Sequence, residues 1–179
     1  MTAADYLTDF STTDDALVLA SVSSKAESDL LNDWLQAQRR AHPDTKVEVM
    51  RLPHGDPSPQ MVNELAGKLN AAEDRNVVPV RVFWVPGGLP TRVKLAGLIS
   101  GRDTYRPPEM LQRAILKKDP SRARIVAGEP AKVSELRSQW QEKIAGDSQQ
   151  DFARFVLRRA ILSIERIELR LLGPEYKSP

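Results

Sequence analysis

Two histidines, His42 and His54, are the only imidazoles in a chain of 179 residues, and there is no cysteine. The missing thiols exclude a cysteine nucleophile, a disulfide framework, a Cys-type zinc site and an iron–sulfur cluster. His54-Gly55-Asp56 sets an imidazole beside a carboxylate. Such a pair could act as a base with its orienting partner or as two metal ligands. It lacks an evident third group, and Gly-Asp-Pro is also ordinary turn chemistry. His42 stands before Pro43, where a helix should stop, and there it can cap carbonyls at the negative end of the dipole. The chain has no Gly-x-Gly-x-x-Gly, no Walker loop and no Gly-x-Ser-x-Gly elbow. Ser21-Val22-Ser23-Ser24 occupies a strand-to-helix turn whose backbone N–H groups could hold an anion. Ser24 to Glu27 reads as a capping box, which already accounts for both ends of that motif.

Residues that attract anions are far more numerous. Positions 1–74 hold 6 basic and 13 acidic residues, a net of −7, and positions 75–179 hold 20 basic and 11 acidic, a net of +9. A basic half draws phosphates, whether on nucleic acid, lipid headgroups or a small ligand. Arg102, Arg106, Arg113, Lys117, Lys118, Arg122 and Arg124 face only Asp103, Glu109 and Asp119 in their stretch. Arg113 and Lys117 are four apart and share a helix face. Further on, Arg154, Arg158, Arg159 and Arg166 line one side of a long helical pattern. The candidate anion- or membrane-contacting residues are therefore Arg102, Arg106, Arg113, Lys117, Lys118, Arg154, Arg158, Arg159 and Arg166. Nucleic acid is not expected, because only Tyr105 offers stacking nearby and no reading motif occurs. Neither a catalytic residue, a metal site nor a cofactor is expected.

The elements that must carry these groups follow from hydrophobic periodicity. Residues 1–15 read as a mobile acidic leader, without the basic, apolar pattern of a signal peptide. Ala16 to Val22 reads as a buried strand, and Ala26, Leu30, Leu31, Trp34 and Leu35 recur at helical spacing until Pro43. Val47, Val49 and Leu52 mark a second strand. Pro59 suits the first position of a helix carrying Met61, Val62, Leu65, Ala66 and Leu69. Val77 to Val85 is the most apolar strand. Pro79 cannot donate to a ladder, which places that strand at an edge or delays its pairing past the first residues. Two successive strand–helix–strand units predict an α/β fold, with a mainly parallel sheet of about four strands and flanking helices.

The second half is more helical. Arg92 to Ile99 reads as a short helix or turn, and Pro108 to Lys118 as a helix with Met110, Leu111, Ala114 and Ile115 inward. Arg124 to Ala127 could be a fourth strand, and Val133, Leu136, Trp140 and Ile144 mark another helix. Trp34, Trp84 and Trp140 all fall on apolar faces. Residues 16–147 form the expected α/β domain, and 148–179 a long amphipathic helix and tail. Twenty-five helical residues span about 37 Å, more than a small domain needs. Packing on the sheet is one use for the apolar face of that helix, lying in a membrane interface a second and connecting to a further domain a third. If it is left uncovered, its apolar surface would drive self-association.

A longer pattern runs through the chain. Val78-Pro79-Val80-Arg81-Val82-Phe83-Trp84, Gly101-Arg102-Asp103-x-Tyr105 and the block from Asp119 to Ala131 follow one another. Val133 to Arg137, Arg158-Arg159-Ala160 and Gly173 to Lys177 come next. In order and spacing these blocks resemble the N-terminal region of actinobacterial glycerol-3-phosphate 1-O-acyltransferases of the PlsB type, from about Ala16 to Pro179. The resemblance implies phospholipid biosynthesis, with acyl transfer from acyl-CoA or acyl carrier protein to the sn-1 hydroxyl of glycerol 3-phosphate. It also implies peripheral association with the cytoplasmic face of the cell membrane. That family's catalytic signature is His-x-x-x-x-Asp. Five residues after His42 stands Val47, and five after His54 stands Pro59, so neither histidine carries it. The expectation is a non-catalytic N-terminal domain whose partners are a missing C-terminal catalytic domain and the membrane surface. The alternative is a free-standing α/β module for a phosphorylated small molecule or nucleotide.

Overall fold

A computed structural model describes residues 15–52, 56–70, 74–85, 107–143 and 148–172. In order these form β1 (Ala16–Ser21), α1 (Lys25–Ala41), β2 (Val47–Leu52), α2 (Pro59–Asn70) and β3 (Asn76–Trp84). Then come α3 (Glu109–Lys118), a 3-10 turn (Pro120–Arg122), β4 (Ala123–Ala127), β5 (Ala131–Lys132), α4 (Val133–Lys143) and α5 (Gln149–Leu172). The short helix or turn expected at Arg92–Ile99, the acidic leader up to residue 14, and His54, Arg102 and Arg106 lie outside the described residues.

The chain is α/β, as its periodicity predicts. One five-stranded mixed sheet runs β2-β1-β3-β4, with β5 also on β3. β1 pairs parallel with β2 and with β3, Val18 lying opposite both Val49 and Val78. β4 and β5 pair antiparallel to β3. Alternation along the strands divides the core into two layers. Ala16, Val18, Ala20, Val78, Val80, Val82 and Trp84 face Leu31, Trp34 and Leu35 of α1 and Ile115 of α3. Leu17, Leu19, Met50, Leu52, Val77 and Phe83 face α2, α4 and α5. Helices therefore cover both sides of the sheet, which is why its central strands β1 and β3 read as nearly continuous apolar runs. The three tryptophans are all buried.

The helix starts are built from local side chains. Ser58 Oγ accepts from Met61 N at 3.3 Å, with Pro59 opening α2. Ser148 Oγ accepts from Asp151 N at 3.1 Å at the start of α5. Asp74 reaches over from the approach to β3, its carboxylate accepting from Ser134 N at 2.9 Å and Ser134 Oγ at 2.8 Å. His42 caps α1 through its backbone, its N–H donating to Gln38 O at 2.8 Å.

Two expectations need correction. The strand containing Pro79 is neither at an edge nor late to pair. It is internal, meeting β1 from Asn76 onward on one side and β5 and β4 on the other. Pro79 O accepts from Gly128 N at 2.7 Å. A strand residue points its N–H and C=O toward the same neighbour, so the N–H that Pro79 lacks would also face Gly128. There the antiparallel partner breaks between Ala127 and Ala131. The proline thus falls at an interruption, and the β1 ladder loses nothing.

The second correction is the rotation of α3. Met110 is 86 % exposed, and Leu111 and Ala114 are exposed too, while Gln112 and Ile115 are buried. Gln112 turns inward because its amide satisfies a buried carboxylate on α1.

Candidate functional site

Ligands of parallel α/β sheets favour the crevice beyond the carboxyl ends of the strands, where the strand order reverses. Here that point lies between β1 and β3, and the serine turn Ser23-Ser24 opens α1 just beyond it. Ser24 Oγ accepts from Glu27 N at 3.1 Å, the first half of a capping box. The reciprocal half is displaced by one residue. Glu27 Oε2 accepts from the N–H and the hydroxyl of Ser23, each at 2.7 Å. Its Oε1 accepts from Trp84 Nε1 at 2.9 Å and Gln112 Nε2 at 3.2 Å. Gln112 Nε2 also donates to Pro107 O at 2.8 Å, and Gln112 Oε1 accepts from Ser24 Oγ.

This constellation ties the ends of β1 and β3 to the first turns of α1 and α3. It also answers the question of an anion at the turn. At the turn where a phosphate would meet backbone N–H groups, Ser23 N is already held by this carboxylate and Glu27 N by Ser24 Oγ, and the carboxylate's two oxygens collect four donors. A capping-box reading locates Ser24 and Glu27. Trp84 and Gln112, 57 and 85 residues away from Glu27, leave no local signal.

The basic candidates do not form one patch. Arg113, Lys117 and Lys118 sit on α3, on the α1 side of the sheet, and Arg154, Arg158, Arg159 and Arg166 sit on α5, on the opposite side. Arg113 is held by Glu109 at 2.5 Å, and the two exposed lysines close α3 at its negative end. Arg122 serves the sheet, donating through Nε to Val85 O at 2.9 Å.

On α5, Phe152, Ala153, Val156, Leu157, Ala160 and Ile164 are buried in the core, while Leu162 is 46 % and Leu169 61 % exposed. The helix is thus packed along one stripe and open along another. Arg154 pairs with Asp151 at 3.4 Å, and Arg159 donates to Gln139 Oε1. Arg158 and Arg166 make no hydrogen bond or ion pair among the described residues. Both line a groove of about 440 Å³ together with Arg159, Ser163, Phe155 and Leu162. The opposite wall and floor are Val77, Pro79, Glu129, Ala131 and Leu136.

A shallower depression of about 620 Å³ lies between α1 and the start of β2, with Arg39, Lys46, Glu48 and Arg75 on its walls. Its charges are engaged within the fold. Arg75 meets Glu48 at 2.6 Å, Lys68 bonds the same carboxylate, and Arg39 donates to Val47 O. The Lys68 ammonium, and after it the Arg75 guanidinium, hold the Glu48 carboxyl below its ordinary range, while Glu48 raises Lys68.

Among the described residues no group of three or more His, Asp or Glu side chains could hold a metal ion, and no helix is long and apolar enough to cross a membrane. Compared with known proteins, the chain matches no protein-family model and no solved structure.

Proposed function

We propose that the chain is the non-catalytic N-terminal domain of a glycerol-3-phosphate 1-O-acyltransferase, an enzyme of phospholipid biosynthesis that works at the cytoplasmic face of the membrane. The observation that carries this reading is where the resembling blocks fall. Val78–Trp84 is β3, and Asp119–Ala131 supplies the 3-10 turn, β4 and the approach to β5 that wrap it. Pro79 and Gly128, one from each block, meet through a backbone hydrogen bond. These two blocks thus form one structural unit, while Gly101–Tyr105 and Gly173–Lys177 lie outside the described residues. In this reading the α/β body supports a separate catalytic domain bearing the His-x-x-x-x-Asp, with acyl-CoA or acyl carrier protein as its donor. The exposed lysines that end α3, Lys117 and Lys118, would lie toward anionic lipid.

The alternative, a module for a phosphorylated small molecule or nucleotide, loses its best seat. Glu27 fills the switch-point turn and would repel a phosphate there.

Thiol release from acyl-CoA in the presence of glycerol 3-phosphate tests the first reading. The chain alone should stay at background. The natural reading frame should continue past Pro179 into a His-x-x-x-x-Asp, and its product should turn over. A frame that stops at Pro179, or turnover by this chain that disappears in His54→Ala, would overturn the proposal.

A further inference from the structure

The groove beside α5 joins two features that the acyltransferase reading leaves unused, an apolar lining and a cluster of cations without counter-ions among the described residues. Leu162 is the centre of the cluster. Arg158 and Arg159 precede it by four and three residues, and Arg166 follows it by four. Side chains at these spacings are neighbours on a helix surface, with Cβ atoms about 5–6 Å apart. None of the three guanidiniums has a carboxylate partner among the described residues; the one bond is from Arg159 to the neutral Gln139. Among the described residues Glu129 is the only acidic residue lining the groove, and it lies outside α5. Phe155, Val77, Pro79 and Ala131 give the same groove its apolar lining. Its volume lies in the range of small-molecule pockets, which are mostly apolar with a few polar groups to orient the ligand.

We propose that this groove binds one molecule of an anionic amphiphile, with its head over Leu162 among Arg158, Arg159 and Arg166 and its alkyl chain along the floor. The site takes a monomer rather than a bilayer surface, because its lining comes from α5 on one side and from β3, Glu129, β5 and α4 on the other, and a flat lipid layer cannot enter between them. Head and tail are both required. The guanidiniums supply charge-assisted hydrogen bonds to a phosphate or carboxylate, and the floor supplies apolar burial. The proposal stands independently of the acyltransferase reading, since it uses only groups of this chain.

Isothermal titration of the full chain with dodecyl phosphate below its micelle concentration is the test. Inorganic phosphate, dodecyl maltoside and phosphatidylglycerol vesicles are the comparison probes. Dodecyl phosphate should saturate at one per chain, and inorganic phosphate and dodecyl maltoside should each bind at least tenfold more weakly. The double variant Arg158→Gln with Arg166→Gln should weaken dodecyl phosphate at least tenfold. Leu162→Asp, which sets a carboxylate among the three arginines, should do the same. Both changes are at exposed positions, so unfolding curves should match the parent; if the arginine pair fails to fold, Leu162→Asp alone decides. Equal affinity for dodecyl maltoside, unchanged affinity in the variants, or binding to vesicles without binding to the monomer would each overturn the site.

Discussion

Glu27 is the residue on which the most separate elements depend. Removing its carboxylate takes the acceptor from two buried donors, Trp84 Nε1 and Gln112 Nε2, and from the part-buried Ser23 N. An unpaired buried donor costs about 1–3 kcal/mol, so Glu27→Ala should destabilise the chain by about 3 kcal/mol or more. Denaturant titration followed by tryptophan fluorescence checks this. A loss under about 1 kcal/mol would mean that the network does not hold the two strand ends. Gly128 is constrained in a different way, by close approach. A Cβ there would lie 2.5 Å from Ser163 Oγ and 3.2 Å from the ring of Pro79. The hydroxyl can turn away, but the ring cannot. Gly128→Ala should cost about 1–2 kcal/mol, as overpacking does, and Ser163→Ala in the same chain should recover part of it.

Among the elements, β2 and α2 are joined by charge as well as by apolar packing. Glu48 of β2 meets Lys68 of α2 and Arg75 at the approach to β3. The Glu48 carboxyl titrates below its ordinary 4.5 in the fold, so its contribution is complete above that value and fades as pH falls through the lowered one. Lys68 titrates above its ordinary 10.5, so its contribution is complete below that value and fades as pH rises through the raised one. The cluster is partly exposed, which limits it to about 1 kcal/mol at neutral pH. Glu48→Gln should remove about that much at pH 7 and flatten both the acid and the alkaline limb of the stability profile. Parallel pH profiles of the variant and the parent would show no effect of this cluster.

At the scale of the molecule, α5 belongs to the body of the fold. Its buried stripe packs against α2, β3 and α4 and closes one whole layer of the core. Phe152 is tilted against Trp140 with ring centroids 5.4 Å apart, and the Arg137 guanidinium lies 4.5 Å from the centre of the Phe152 ring. Phe152→Ala should cost about 3–5 kcal/mol. A chain ending at residue 147 should lose cooperative unfolding altogether, as seen by circular dichroism during denaturant titration. A truncated chain with a sharp transition would instead make α5 a detachable appendage.

Local pattern sufficed for much of this. Apolar runs and 3.6-residue spacing located β1, α1, β2, α2 and β3, and Ser24, Pro59 and Ser148 marked helix starts before any contact was known. The fold class followed, because two strand–helix–strand units in succession leave a parallel sheet as the economical way to bury both faces. What local pattern lacks is the identity of the partner. The five residues of β4 could not announce that they pair antiparallel to β3, nor could Pro79 announce that its missing N–H would face a break in the neighbouring strand. The rotation of α3 runs against local pattern, since Met110 and Leu111 are apolar yet exposed, and the deciding interaction joins Gln112 to a carboxylate 85 residues earlier. The arginines of α5 read as one polar side. The sheet separates them by burying one stripe of the helix, so that three ring Leu162 over a groove and Arg154 stays with Asp151. Periodicity along a chain records which face of an element avoids water, but only contacts between distant residues determine what covers that face and which charges are left without partners.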